Sequence, residues 1–288
     1  MPAFVSVDGR VLPAAQARVS VFDTGFTFGD AVYETLRTYG GRPCAFERHL
    51  RRLRRSAARV AIDLPLSDAE FRARLDAVLE QAQNAESYIR WIVSRGVGDI
   101  SYRFERIHGP TVVIVAREHE AMDPALYATG IRVSLVSVRR NAPQALDPAI
   151  KSCNLLNNVL AVREAQGRGA MEAVMLNERG EVAEGASSNV FVVKDGLTLT
   201  PPLEAGLLPG ITREILLELG PALGLPVSER PLRVPDLLHA DEVFITSSLK
   251  EVAPVHAIDD RLVADGRPGP VTVRFLHAYR DYVQRTAS

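Results

Sequence analysis

A polar stretch without hydrophobic periodicity, Glu118 to Thr129, constrains the fold of this chain most, because it parts two halves that each mix strand-like and helix-like patterns. A chain of 288 residues, 47% of them hydrophobic and 24% charged, is long enough to bury two ordinary cores. The pattern predicts a two-domain protein of α/β (α+β) class. A small N-terminal α/β domain covers 1–118, a linker 119–130, and a larger C-terminal α/β domain 131–288. No internal repeat, low-complexity tract or heptad run occurs, which excludes solenoids and coiled coils.

In the first half, Phe4 to Val11 reads as two short strands about the turn Asp8-Gly9, and Ala31 to Phe46 as a hairpin about Gly40-Gly41. Glu47 to Val60 reads as a helix whose buried stripe is Leu50, Leu53 and Ala57. Ser67-Asp68-Ala69-Glu70 is a capping-box signature opening a helix with Phe71, Leu75 and Leu79 on one face. Tyr88 to Val93 and Thr111 to Val115 are β-rich runs. In the second half, strands are predicted at Ile131 to Val138, Ala173 to Leu176, Val190 to Val193, Glu242 to Ile245 and Val252 to Ala257. Helices are predicted from Leu155 to Gln166 with Gly167 ending it, from after Gly210 to Leu219, and from Pro270 to Val283.

The formal net charge of -1 gives no general attraction to nucleic acid or to an anionic membrane, so the Arg48 to Arg55 stretch reads chiefly as a solvated helix face. The N-terminus lacks a charged start followed by a long apolar run, and nowhere do about 18 apolar residues follow one another. A cytoplasmic location is the expectation. Two cysteines, Cys44 and Cys153, fit a reducing compartment, and Cys153 reads as a small buried hydrophobe. The histidines and cysteines show no metal-ligand spacing, and no metal is expected. Arg95-Gly96-Val97-Gly98 has too few glycines for a dinucleotide loop, and no phosphate-loop Gly-Lys-Ser/Thr is present.

Three segments carry chemistry. Lys151, in Ile150-Lys151-Ser152-Cys153-Asn154, follows an apolar residue and precedes an apolar helix, an unusual setting for a residue type that mostly lies at the surface. Its amine can act as a nucleophile and, when released, as a base. Glu184 heads Gly185-Ala186-Ser187-Ser188-Asn189, and Gly210-Ile211-Thr212 opens a helix whose unpaired N–H groups suit a phosphate. An amine to condense with an aldehyde, a carboxylate to keep a pyridine nitrogen protonated and a phosphate cradle together describe a pyridoxal 5'-phosphate site.

The order and wording of these segments resemble the class IV (fold type IV) pyridoxal phosphate enzymes, which include branched-chain aminotransferases, D-amino acid aminotransferases and aminodeoxychorismate lyases. The resemblance also takes in Phe28-Gly29-Asp30-Ala31-Val32-Tyr33-Glu34-Thr35-Leu36-Arg37, His49-Leu50-Arg51-Arg52-Leu53 and Thr246-Ser247-Ser248-Leu249-Lys250-Glu251-Val252. It implies a two-domain, D-amino acid aminotransferase-like fold that binds cofactor and substrate between its domains and forms a homodimer. It implies that Lys151 joins the cofactor, that Glu184 meets the pyridine nitrogen, and that Leu208 lies on the ring face. Arg52, Ile211, Thr212 and Ser248 are implied at the phosphate, with Ser187 and Ser247 among the further cofactor contacts. Tyr33 and Arg37 are implied on the substrate side. Arg51, Arg54 and Arg55 stay on the surface, as does Glu181, which lacks the following Gly-x-Ser-Ser-Asn.

Tyr88-Ile89-Arg90 resembles the Tyr-x-Arg of branched-chain aminotransferases, where an arginine can make a bidentate contact with a carboxylate. D-amino acid enzymes carry an Arg-x-His shortly after a strand ending in Arg-Gly; here Arg106-Ile107-His108 lies several residues beyond Arg95-Gly96. Asn154-Leu155 after the lysine points to the D-amino acid branch, and Ser247-Ser248-Leu249-Lys250-Glu251 is similar to the lyase branch. The resemblance thus implies small-molecule amino acid and 2-oxo acid substrates, with no nucleic acid or membrane partner. Transamination between a branched-chain L-amino acid and 2-oxoglutarate comes first, D-amino acid transamination second and aminodeoxychorismate lyase third.

Overall fold

The computed structural model describes residues 3–287. Its contacts divide the chain into two compact units. One runs through Glu120 and adds Ile150–Asn154 and the chain's end from Val283; the other comprises Ala121–Ala149 and Leu155–Tyr282.

The first unit is an antiparallel sheet with two helices on one face. Its strands are β1 (Ala3–Val7), β2 (Arg10–Pro13), β3 (Ala31–Tyr39), β4 (Arg42–Pro43), β5 (Ser87–Ser94) and β6 (Thr111–Glu118), in the order β2-β1-β6-β5-β3-β4. The first hairpin turns at Asp8 and Gly9, both in left-handed backbone, as Asp-Gly turns favour. A short helix α1 (Thr24–Phe28) precedes β3, and α2 (Phe46–Arg59) and α3 (Asp68–Ala82) supply the covering layer. Strict alternation in β5 sends Ile89, Trp91 and Val93 into the core and leaves Tyr88, Arg90 and Ile92 on the other face. Phe46 and Phe71 meet the buried Trp91 edge-on, with centroids 5.4 and 5.0 Å away. The capping box forms as expected: the Glu70 N–H donates to Ser67 Oγ, and the Ser67 N–H to Glu70 Oε2. The second hairpin is shorter than its sequence suggests. Its return strand is only Arg42–Pro43, and Phe46 opens α2 instead of closing a strand.

The second unit holds a nine-stranded mixed sheet. Its strands are β7 (Ile131–Leu135), β8 (Glu172–Leu176), β9 (Val182–Gly185), β10 (Asn189–Lys194), β11 (Leu197–Thr200), β12 (Val227–Glu229), β13 (Glu242–Ser247), β14 (Glu251–Ile258) and β15 (Arg261–Leu262). The order is β12-β11-β10-β13-β14-β7-β8-β9, with β15 paired to β14. β14, β7 and β8 run parallel with staggered starts, Val133 of β7 pairing with Ile258 on one side and Glu172 on the other. The helices are α4 (Pro124–Thr129), α5 (Pro143–Leu146), α6 (Leu156–Gly167), α7 (Ile211–Leu219), α8 (Val234–Leu238) and α9 (Pro270–Thr286). One side of the sheet buries Val133, Val190, Val192, Ile245 and Ala253; on the other, Phe191 stacks on Phe244, which meets Phe275 of α9.

Two sequence expectations are corrected. The stretch 119–130 is not a bare linker: Asp123 caps α4 by accepting from the Ala125 N–H, Pro124 occupies its first turn, and the helix packs on β14. The lysine segment does not travel with the rest of 131–288. Ile150 packs on the first core, the Tyr33 N–H donates to the Lys151 carbonyl at 2.9 Å, and the Cys153 N–H donates to the Ala31 carbonyl at 2.8 Å. Ile150–Asn154 therefore lies along β3 as a strap of the first unit, and the second resumes at Leu155.

Candidate active site

The chain has three lysines, and their surroundings sort them. Lys194 donates to Asp241 at 3.0 Å and Lys250 to Glu172 at 2.7 Å. Lys151 alone has no carboxylate partner among the described residues. Its Nζ lies 4.5 Å from the centroid of the Tyr33 ring and 3.5 Å from the Tyr33 hydroxyl, while its backbone N–H donates to Ser56 Oγ. Strap and strand thus hold this amine on the face of the first sheet that the helices leave uncovered.

That face is cationic. Arg90 stacks on Tyr33 with Cζ 4.1 Å from the ring centroid, Arg37 on Tyr39 at 4.2 Å, and Arg117 on Tyr88 at 4.5 Å. The register pairs Thr35 with Arg90 and Arg37 with Tyr88, so Tyr33, Arg37, Tyr88 and Arg90 all share the lysine's face. Burial is the largest single influence and disfavours the Arg90 cation, but the hydrogen bond to Tyr88 together with the Coulomb attractions of Tyr88, Tyr33 and Cys153 outweighs it and raises Arg90 above the ordinary guanidinium value. No carboxylate among the described residues pairs with Arg90 or Arg37. Cys153 lies beside Arg90; burial raises its thiol above the ordinary value, with Arg90 opposing only in part.

Arg52 is buried, unlike its exposed neighbours Arg51 and Arg55. Its Nε and Nη2 donate to Glu34 at 2.7 and 2.9 Å, and His49 Nδ1 lies 2.7 Å from the same carboxylate. Burial would raise the Glu34 carboxyl, yet Arg52 and then His49 overcome this and hold it far below the usual carboxylate range. For His49, burial dominates and depresses the imidazole below its ordinary value of 6.5, with Glu34 pulling the other way. Glu34 and His49 had no role in the sequence reading. The available signal was a glutamate at a buried register position of β3, between Val32 and Leu36.

In the second unit, Glu184 is buried at the end of β9. It accepts from Arg140 Nε at 2.7 Å and from the Leu208 N–H at 3.0 Å, while Arg140 also donates to Asn157 at 3.1 Å. Arg140 was not anticipated; it compensates the buried charge and fixes the carboxylate's direction. Glu181 is not the surface residue expected. It is buried and accepts from Asn177 and Arg179, both at 2.9 Å.

Gly210, at the N-cap of α7, supplies no side-chain acceptor, so the first-turn N–H groups of Ile211 and Thr212 have none from their cap. Asn189 packs against Gly210, donates to the Leu208 carbonyl at 2.9 Å and pairs with Thr246 across the β10–β13 ladder. The start of α7 and the Thr246–Ser248 segment therefore gather about Asn189. Thr246 Oγ1 is buried without a hydrogen-bond partner. Helix N–H groups without a side-chain cap and the unpartnered Thr246 hydroxyl are donors of the kind that suit a phosphate. Ser187 Oγ donates to Glu172 at 2.6 Å, Ser247 Oγ accepts from the Lys250 N–H, and Ser248 follows directly on β13. Among the described residues no cluster of His, Cys, Asp and Glu is arranged to hold a metal ion, and no helix is long and apolar enough to cross a membrane.

Residues 31–258 match the model of amino-transferase class IV, a class of pyridoxal phosphate-using aminotransferases. The chain belongs to that family. It is 39% identical over 280 residues, 96% of this chain and 95% of the relative, to a protein of Methanocaldococcus jannaschii provisionally named a branched-chain-amino-acid aminotransferase. It is 35% identical over 268 residues, 93% of each chain, to a D-alanine aminotransferase of Bacillus licheniformis. Its fold matches the T.th. branched-chain amino acid aminotransferase complexed with N-(5'-phosphopyridoxyl)-L-glutamate. That match has a TM-score of 0.92 and 29% identity and covers 99% of this chain and 95% of the other.

Proposed function

We propose that this class IV aminotransferase uses pyridoxal 5'-phosphate to move an amino group between a branched-chain L-amino acid and 2-oxoglutarate. The observation that carries the proposal is Lys151, the one lysine without a carboxylate partner among the described residues, set against Tyr33 on a face that also bears Arg90. When bound, the cofactor supplies an electron sink that eases removal of the substrate α-proton. Lys151 Nζ takes that proton and returns it, with the Tyr33 hydroxyl orienting the amine. Arg90 and Tyr88 clamp the substrate carboxylate, and one clamp serves both half-reactions because amino acid and oxo acid each carry that group. Arg37 adds positive charge to the same face.

Glu184 would favour a protonated pyridine nitrogen, Leu208 would pack on the ring, and Ile211, Thr212, Ser247 and Ser248 would receive the phosphate, with Ser187, bound to Glu172, beside them. Arg52 contributes to phosphate binding with part of its guanidinium already committed to Glu34. The name of the archaeal relative supports a branched-chain donor, and the phosphopyridoxyl-glutamate carried by the T.th. enzyme supports glutamate as the partner amino acid. D-amino acid transamination is the second reading, supported by the Bacillus relative and by Asn154-Leu155. Arg106 weighs against it: the guanidinium is exposed and donates to Asp99 at 2.9 Å. Lyase activity stays third. A homodimer in the cytoplasm completes the proposal, supported by two free cysteines and by apolar residues left exposed on the first unit.

The test is a panel of L- and D-amino acids with 2-oxoglutarate, run on wild type and Arg90→Ala. Leucine or valine should be the preferred donor, and Arg90→Ala should lower kcat/KM for both leucine and 2-oxoglutarate by about tenfold or more. Preference for D-alanine over L-leucine would overturn the substrate assignment.

A further inference from the structure

Lys250 closes a network at the rim of the second sheet that the transamination chemistry leaves unused. Its Nζ donates to Glu172 at 2.7 Å and to Ser187 Oγ at 2.6 Å. Glu172, at the start of β8, is 1% exposed, and its carboxylate also accepts from Ser187, from Ser188 and from the Ala173 N–H. The backbone of Lys250 is tied as well: its N–H donates to Ser247 Oγ, and its carbonyl accepts from the Tyr127 hydroxyl. The next residue, Glu251, sits at φ 55°, a conformation costly for a residue with a Cβ. Arg280 restrains it, donating to Glu251 at 2.7 Å while stacking on Tyr127.

A hairpin turn does not require so many restraints to exist. A buried ion pair also adds little net stability, since desolvation offsets its attraction; its effect is to fix geometry. What this pair fixes is the spacing between the Ser187-Ser188 turn and the turn bearing Ser247 and Ser248. We propose that Lys250, held by Glu172 and Ser187, is a positioning residue that sets the turn bearing Ser247 and Ser248 where the cofactor phosphate is received. The proposal rests on the phosphate-cup reading given above.

The test compares pyridoxal phosphate with pyridoxal, which lacks the phosphate, in equilibrium titrations of the cofactor-stripped chain. Lys250→Met/Glu172→Gln removes the pair without stranding a buried charge, Lys250→Arg keeps the cation, and Ser248→Ala probes the cup directly. The double variant should bind pyridoxal phosphate about tenfold more weakly and pyridoxal within about twofold of wild type, and Lys250→Arg should restore most of the loss. Equal losses for both ligands would make the network a mere staple and overturn the proposal, as would unchanged pyridoxal phosphate affinity in the double variant. Ser248→Ala separates the two layers: if it weakens pyridoxal phosphate while the double variant does not, only the positioning role fails. If neither does, the cup reading fails with it.

Discussion

Glu34 and Arg140 act through other residues: Glu34 lies within a recognised run that gives it no role of its own, and Arg140 lies in none. Lys151 and Glu184 stand in short, recognisable runs of sequence, whereas the groups they meet, Tyr33 and Arg140, lie 118 and 44 positions away along the chain, separations that only folding closes. Two predictions belong at this scale. His49 is depressed in the folded state, so below its ordinary 6.5 the unfolded chain binds a proton that the native chain does not. Stability is therefore full above about pH 6.5 and falls as pH drops, by at most about 1.4 kcal/mol per pH unit for this one group. His49→Gln should flatten the melting temperature between pH 6.5 and 4.5, leaving the fall below 4.5 that Glu34 contributes as its depressed carboxylate is protonated. An unaltered pH profile would mean His49 does not titrate on unfolding. Arg140→Ala strands the Glu184 carboxylate and should slow α-proton removal by about tenfold or more with little change in cofactor phosphate affinity. Single-turnover deuterium exchange at the α-carbon would measure it.

Elements with strong local signals appear where their patterns put them. The Ser67 capping box starts α3 as expected, and the Leu50, Leu53 and Ala57 stripe of α2 faces the core. β9, β11 and β12 were not anticipated, because three- and four-residue strands are too short for alternation to register. Asp195-Gly196 between β10 and β11 was an unused turn signal. The strand expected to Val138 stops at Leu135, although the Val136 N–H still donates to Val174. Gly210 earns its place through crowding, not through φ, which is an ordinary -70°. A Cβ there would fall 1.9 Å from Asn189 Oδ1. Gly210→Ala should push Asn189 off the Leu208 carbonyl, cost about 1–3 kcal/mol in thermal or urea unfolding and weaken cofactor binding. A variant as stable as wild type would show that Asn189 yields freely.

For the whole molecule, the two-unit division was legible from the polar break, but the membership of the lysine strap was not. Its assignment depends on backbone hydrogen bonds to β3, which no local pattern encodes. Phe22, Phe26, Ile100, Tyr102 and Phe104 are exposed on the first unit, and the segments bearing them are joined by the Asp23–Val97 bridge and by the Gly98 N–H donating to the Phe22 carbonyl. Contiguous apolar surface of this kind marks association, so sedimentation should give a dimer mass, and Phe26→Glu/Tyr102→Glu should shift it toward the monomer. A wild-type monomer would contradict self-association.

Lys151 is the proposed proton carrier, and amino-group transfer by Lys151→Ala, loaded with pyridoxal phosphate, from whichever donor wild type prefers, tests that role. Lys194→Ala serves as the control, because that lysine is exposed and paired with Asp241. Transfer should fall by on the order of 10²- to 10⁴-fold in Lys151→Ala and stay at the wild-type rate in the control. A Lys151→Ala enzyme that turns over within about twofold of wild type would show that Lys151 does not carry the proton.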